Sequence, residues 1–104
     1  MVVSRGDIWW YESPSEKRRP YLVLTRSEAV PVLNQILAVP LTSTVRGIPT
    51  DVELDTSDGL PGPCVATLDN LTQIRPALCV ERIATLGPER MDQVYEALRA
   101  AIAC

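Results

Sequence analysis

The stretch "CVERIATLGPERMDQVYEALRAAI", residues 79–102, contains the change of period that decides the fold class. Its first part, residues 79–86, is a short apolar run typical of a strand. After Gly87 and Pro88 the apolar residues recur three and four residues apart, which is one face of a helix. Pro88 suits the first helical turn. The stretch therefore predicts a strand followed by a helix from about Pro88 to Ala103.

Everything upstream of this stretch is typical of short strands separated by turns. Residues 56–63, "TSDGLPGP", carry the strongest turn signal, and residues 27–34 favour a helical turn. Pro40 indicates a bulge or an edge in its strand. Several short strands with one C-terminal helix predict a mainly β fold, a small barrel with the helix packed on it, as one domain over residues 1–104. The predicted strands are residues 7–12, 20–26, 35–42, 51–55, 64–68 and 79–86.

Composition excludes several classes of function. The net charge is −3, so any nucleic-acid site must gather its basic residues locally. The chain has no histidine, and Cys64, Cys79 and Cys104 show no C-x-x-C spacing, so we expect free thiols, no metal site and no cofactor. We find no signal peptide and no apolar run long enough to span a membrane, and we expect a cytoplasmic protein.

Three cations, Lys17, Arg18 and Arg19, stand where a polar loop meets an apolar strand. One interpretation is a solvated loop that keeps the strand end soluble. The other is a phosphate clamp, because the guanidinium is a planar, permanently charged fork that suits phosphate oxygens. Arg19 is the best placed of the three, since Pro20 fixes the backbone directly after it.

The stretch "VPLTST", residues 39–44, ends an apolar strand with three hydroxyls. Ser and Thr in such a position commonly bond to nearby backbone. Alternatively, Thr42 ends its strand beside Arg19 and donates to a phosphoryl oxygen in a transition state. Trp9 and Trp10 alternate faces of the first strand; we expect one to lie in the core and the other to serve as a stacking platform or part of a dimer interface.

Four stretches in this order resemble the MazF/PemK-type mRNA interferases, the toxins of bacterial toxin–antitoxin pairs, and the resemblance covers essentially the whole chain. "RGDIWW" at residues 5–10 is similar to the opening strand of that family, and "RRPYLVLTR" at 18–26 to its Arg-Pro strand. "AVPLTS" at 38–43 is similar to its strand ending in Thr, and residues 81–102 to its last strand and helix.

The resemblance implies an SH3-like barrel that forms a homodimer. It also implies sequence-specific cleavage of single-stranded RNA without a metal, by attack of the ribose 2′-hydroxyl, and inhibition by a cognate antitoxin. On this basis Arg19 and Thr42 are the expected catalytic residues, and Lys17, Arg18, Ser43 and Thr44 are expected RNA contacts. The antitoxin is expected to place an acidic, partly disordered tail in the RNA groove.

The chain departs from the family pattern in two places. The loop over residues 12–18 is short, so the cleavage motif does not transfer. The family's Asp-Gln-apolar-basic run aligns with Asp69, Asn70 and Leu71, which places Thr72 at the basic position and makes Asn70 an expected base contact.

Two alternatives stay open from sequence. One is a non-catalytic inhibitor on the same barrel, as in CcdB-type gyrase poisons, although their C-terminal tryptophan is missing here. The other is a degenerate toxin that keeps only antitoxin binding.

Overall fold

The computed structural model describes residues 2–103, so Cys104, one of the three predicted free thiols, lies outside the described residues. Within this range the chain forms seven strands and one α-helix. Four short 3₁₀ helices, Val30–Val32, Thr56–Asp58, Leu68–Asn70 and Pro76–Leu78, connect them. The strands are Asp7–Tyr11 (β1), Arg19–Val23 (β2), Ile36–Thr42 (β3), Asp51–Leu54 (β4), Cys64–Thr67 (β5), Thr72–Ile74 (β6) and Cys79–Thr85 (β7), and the helix is Pro88–Ile102 (α1). No helix among the described residues has the length and apolar character needed to span a membrane.

All strand pairs are antiparallel, in the order β4-β5-β3-β2-β1-β7 with β6 added on β3. The long strand β3 changes partner along its length: residues 36–38 pair with β6, and Leu41 and Thr42 pair with β5. Pro40 lies between these two pairings rather than at a bulge or an outer edge. Its carbonyl accepts a hydrogen bond from Thr67 Oγ1 at 3.2 Å, so the strand keeps a partner there.

Apolar side chains pack on both faces of β1, β2 and β3. On one face, α1 buries Met91, Val94 and Ala97 against the sheet, as the helical period predicts. On the other face lies a second cluster that includes four residues of β1 and β2: Trp9, Tyr11, Tyr21 and Val23. Strands β1, β2 and β3 are therefore fixed by packing on both of their faces, and so is the backbone of any site that they carry.

The segment between β6 and β7 crosses this second face. The backbone N–H of Arg75 donates to the Tyr11 hydroxyl at 3.2 Å, and the N–H of Glu12 donates to the Leu78 carbonyl at 3.1 Å. These bonds fix the end of β1 that lies beside the first residue of β2, Arg19.

Candidate active site

The structure brings Arg19 and Thr42 to one end and one face of the sheet. β2 begins at Arg19 and β3 ends at Thr42, and the two strands are antiparallel with Tyr21 opposite Pro40. Extending this register by two residues sets Arg19 across from Thr42. Residues opposite each other in an antiparallel pair project from the same face, so both side chains border the same surface.

The Thr42 side chain is held by the loop that follows it. Its Oγ1 accepts a hydrogen bond from the backbone N–H of Thr44 at 3.3 Å. Because the oxygen is the acceptor in this bond, the hydroxyl proton remains available to donate to a ligand. Ser43 and Thr44 themselves are exposed at the start of the loop, next to Thr42.

Two buried tyrosines form the floor beneath Arg19. Tyr11 lies opposite Arg19 on β1, and its ring meets that of Tyr21 edge-on with 5.3 Å between centroids. Burial, and after it the Glu16 carboxylate, raises the pKa of the Tyr21 hydroxyl, while the Arg19 guanidinium lowers it. Glu16 and Arg19 thus both lie close to Tyr21. A tyrosine hydroxyl is neutral at neutral pH, so the charge at this end of the face comes from the ionised side chains around Tyr21.

Arg19 is exposed and forms no salt bridge with any residue between 2 and 103. An exposed guanidinium without a carboxylate partner is available for an anion. A fork of this kind pairs well with two phosphate oxygens.

Arg18 occupies a different environment. Its guanidinium carbon lies 4.8 Å from the centroid of the Trp10 ring, and its nitrogens approach Glu12 at 3.7 Å and Glu81 at 3.5 Å. Trp10 and Glu81 are paired across β1 and β7, whereas Tyr11, the next residue on β1, is paired with Arg19. Successive side chains of a strand alternate faces, so Arg18 lies on the face opposite to Arg19. Lys17 is exposed in the preceding loop.

The two tryptophans have separate roles in the structure. Trp9 is 4% exposed, and its indole N–H donates to Asp7 Oδ2 at 3.2 Å. The buried Asp7 carboxylate also accepts from the Ser4 N–H at 2.9 Å and from Thr85 Oγ1 at 2.7 Å. Trp9 is therefore a core residue. Trp10 is half-buried, and the Arg18 guanidinium lies over its ring. The face of the ring under Arg18 is therefore not open for a base to stack on.

Asn70 is connected to the strand that ends at Thr42. Its side-chain amide donates to Thr67 Oγ1 at 3.5 Å, and that hydroxyl donates to the Pro40 carbonyl. Pro40 is two residues before Thr42 and opposite Tyr21. The exposed Asn70 is thus connected to β3 through one hydroxyl.

Three residues that lie around or beneath the candidate site are hard to predict from sequence. Tyr21 stands two positions after Arg19, so strand alternation puts both on one face, but it also suits a plain core residue. Glu16 comes close to Tyr21 only through the loop conformation, and the buried Thr67 reaches the Pro40 carbonyl only through the β5 pairing.

Comparison with known proteins matches residues 4–102 to the family described as "PemK-like, MazF-like toxin of type II toxin-antitoxin system". The chain belongs to this family. The chain is 36% identical to the probable endoribonuclease MazF5 of Mycobacterium tuberculosis over 102 residues, which are 97% of this chain and 94% of that protein. It is 33% identical to the probable endoribonuclease MazF2 of the same organism, over 96% of this chain and 98% of that protein.

Solved structures give the same result. The Mycobacterium tuberculosis toxin MazF-mt6 superposes with a TM-score of 0.82 at 33% identity, covering 91% of this chain and 94% of that one. An endoribonuclease from a mycobacterial species, in complex with its cognate antitoxin, gives a TM-score of 0.86 at 25% identity, covering 97% and 95%.

These matches confirm the predicted MazF/PemK-like toxin and its barrel-like β fold with a C-terminal helix. They support an endoribonuclease over the CcdB-like alternative.

Proposed function

We propose that this MazF-like toxin cleaves single-stranded RNA at short sequence motifs, with Arg19 and Thr42 as its catalytic residues. The observation that carries this proposal is the placement of an unpaired guanidinium and an available hydroxyl across from each other on one face of β2 and β3. The two groups can contact one phosphate from two sides. Side chains at the ends of rigid strands are also suited to hold such a geometry.

The proposed reaction is a transesterification within the RNA. The ribose 2′-oxygen forms a bond to the adjacent phosphorus, and the bond from phosphorus to the 5′-oxygen of the next nucleotide breaks. The 2′-hydroxyl loses its proton, the leaving 5′-oxygen gains one, and the products carry a 2′,3′-cyclic phosphate and a 5′-hydroxyl.

In this reaction Arg19 stabilises the negative charge that develops on the phosphoryl oxygens. It does not act as a base, because a guanidinium stays protonated at neutral pH. Thr42 donates its hydroxyl proton as a hydrogen bond to a phosphoryl oxygen. Loss of one such fixed donor typically costs a factor of about 10²–10³ in rate. The proposal requires no metal and no cofactor.

RNA would lie along the face that carries these residues. Lys17, Ser43 and Thr44 are exposed near its two strand ends, and Asn70 is available for a base edge. Arg18 lies over Trp10 on the opposite face, so it joins an RNA contact only by leaving the Trp10 ring and exchanging its Glu12 and Glu81 partners for phosphate. Both ion pairs are exposed and long, so their loss costs little, and the contact with Trp10 is the larger part of what Arg18 would give up.

A growth-arresting ribonuclease of this kind acts on cytoplasmic RNA and needs an inhibitor. The related mycobacterial endoribonuclease was solved with its cognate antitoxin. We expect an acidic, partly disordered antitoxin tail to occupy the RNA surface here, and we expect the toxin to form a homodimer of two such subunits. Sedimentation as a monomer at micromolar concentration would contradict the dimer.

The test is to incubate the purified protein with total RNA in EDTA and to sequence the new 5′ ends. The proposal predicts ends that cluster at one short motif. An identical preparation of the Arg19→Ala protein controls for contaminating nucleases. Absence of cleavage at every protein concentration would favour a binding module.

A further inference from the structure

The loop over residues 43–50 leaves the sheet at Thr42 and returns to it at Asp51, and an ion pair closes it. Arg46 Nε donates to Asp51 Oδ2 at 2.9 Å, and Arg46 Nη2 donates to Asp51 Oδ1 at 2.7 Å. The Asp51 side chain is 2% exposed and the Arg46 side chain 42%. This is a bidentate ion pair between an almost buried carboxylate and a half-exposed guanidinium. The hydrogen bond to Asp51 raises the pKa of Arg46. We call this pair the loop clamp.

Other features fix the same loop. Gly47, the residue after Arg46, has φ +66°, a left-handed conformation that a side chain would strain. Thr50 Oγ1 donates to Asp69 Oδ2 at 2.5 Å, and the Leu68 N–H donates to the Thr50 carbonyl at 3.0 Å. The second half of the loop is thereby attached to the turn that carries Asn70.

Both ends of the loop clamp connect to Thr42. On the loop side, Arg46 is two residues after Thr44, whose N–H bonds the Thr42 hydroxyl oxygen. On the sheet side, Asp51 is opposite Thr67 on β5, and the Thr67 hydroxyl bonds the Pro40 carbonyl two residues before Thr42. A displaced loop would move the Thr44 N–H, and with it the direction in which Thr42 donates.

We propose that Arg46 and Asp51 are positioning residues for catalysis: their ion pair fixes the loop so that Thr44 holds the Thr42 hydroxyl towards the scissile phosphate. This inference rests on the proposed RNA cleavage. Two of the five N–H donors of Arg46 are directed at Asp51, so the inference gives Arg46 the role of fixing the loop and leaves direct RNA contact as an outcome of the test. The loop clamp accounts for the rate of the chemical step rather than for affinity.

The test uses Arg46→Gln, Asp51→Asn, the exchanged pair Arg46→Asp/Asp51→Arg, and Arg99→Gln. The last variant is the matched control, because Arg99 pairs with Glu96 on the exposed surface of α1. For each protein the single-turnover cleavage rate is measured at saturating RNA. The Kd is measured with the same RNA blocked by a 2′-O-methyl group at the cleaved nucleotide, and exchange of the Thr44 amide proton is followed by NMR.

We expect Arg46→Gln and Asp51→Asn to lower the saturated rate about 10- to 100-fold, since small displacements of a reacting group have effects of this size. The Kd should stay within about threefold, and Thr44 should exchange faster. The exchanged pair should recover part of the rate, and Arg99→Gln should match the wild type.

Other outcomes overturn the inference. If Arg46→Gln weakens the Kd while Asp51→Asn does not, Arg46 binds RNA phosphate directly. If both single variants cleave at the wild-type rate, the loop clamp does not position Thr42. If the exchanged pair fails to fold, the two single variants still test whether the loop clamp positions Thr42. If the wild type itself does not cleave, the proposed function fails instead, and Thr44 exchange still reports whether the ion pair holds the loop.

Discussion

Arg18 lies over the Trp10 ring, with its guanidinium carbon 4.8 Å from the ring centroid, on the face opposite to the next residue, Arg19. Two adjacent arginines of one basic cluster therefore have different surroundings. Arg18 is balanced by Glu12 and Glu81, and Arg19 has no carboxylate partner among residues 2–103. The strand alternation, rather than the amount of charge, decides which arginine can reach a phosphate held beside Thr42.

The first prediction compares these two arginines. Arg19→Ala should lower cleavage by at least about 10²-fold, because it removes the charge that stabilises the phosphoryl oxygens. Arg18→Ala should lower it far less, since Arg18 faces Trp10. The measurement is the cleavage rate of one oligonucleotide, with circular dichroism to confirm the fold of both variants. An equal loss of activity in the two proteins would contradict the assignment of Arg19.

The second prediction concerns the hydroxyl at position 42. Thr42→Ser should retain more activity than Thr42→Val, because serine keeps the donor and valine keeps only the shape. The rates are measured at saturating RNA, so that binding and chemistry are separated. Near-wild-type cleavage by the valine variant would remove Thr42 from the mechanism.

The helix and six of the seven strands could be predicted from sequence, because each has a clear period or a turn on both sides. The helix prediction ended one residue beyond the observed end at Ile102. The sequence predicts the second strand at residues 20–26, whereas β2 is Arg19–Val23. The regular register with β3 ends at Val23, and beyond it the N–H groups of Leu24 and Thr25 both donate to the one carbonyl of Leu37. The end of such a strand is set by its pairing with a neighbouring strand, and the local sequence pattern carries no information about that pairing.

Strand β6 was not predicted. Its three residues, Thr72–Ile74, are too few to show a period, and two of them are polar and exposed. It exists because Ile36, Leu37 and Ala38 of β3 offer it a pairing edge. The candidate site shows the same limit: the residues around Arg19 and Thr42, together with the family motif, point to these two side chains, while the pairing of Arg18 with Glu81 joins residues distant in sequence.

The third prediction concerns control by the antitoxin. An acidic tail that occupies the face of Arg19 should displace labelled RNA from the cleavage-dead Thr42→Val protein in direct competition. Charge reversal of Arg18 should slow association of the tail and weaken its salt dependence, since exposed charges steer encounters. The measurement is a fluorescence anisotropy titration. A tail that binds while the RNA stays bound would show that inhibition acts elsewhere.

The fourth prediction concerns stability at alkaline pH. Burial raises the pKa of the Cys79 thiol to about 11, and burial also raises the pKa of Cys64. The unfolded chain loses these protons first, at a thiol pKa of about 8.5, so rising pH favours unfolding. The free energy of unfolding should therefore be unaffected by these thiols below about pH 8 and should fall between about pH 8.5 and 11.

Urea unfolding across this range is the measurement, with Cys79→Ala as the comparison. The decline should be smaller in the variant. A free energy that stays constant or rises up to pH 11 would contradict the buried, protonated thiol.

The central claim is that Arg19 and Thr42 act on a phosphate that is attacked by the neighbouring 2′-hydroxyl. The most direct measurement uses an RNA oligonucleotide with the mapped motif and a second one with a single 2′-deoxy substitution at the cleaved nucleotide, both in EDTA. The account predicts that the first gives a 2′,3′-cyclic phosphate and a 5′-hydroxyl and that the second stays intact. Cleavage of the deoxy-substituted oligonucleotide at the same bond would contradict it.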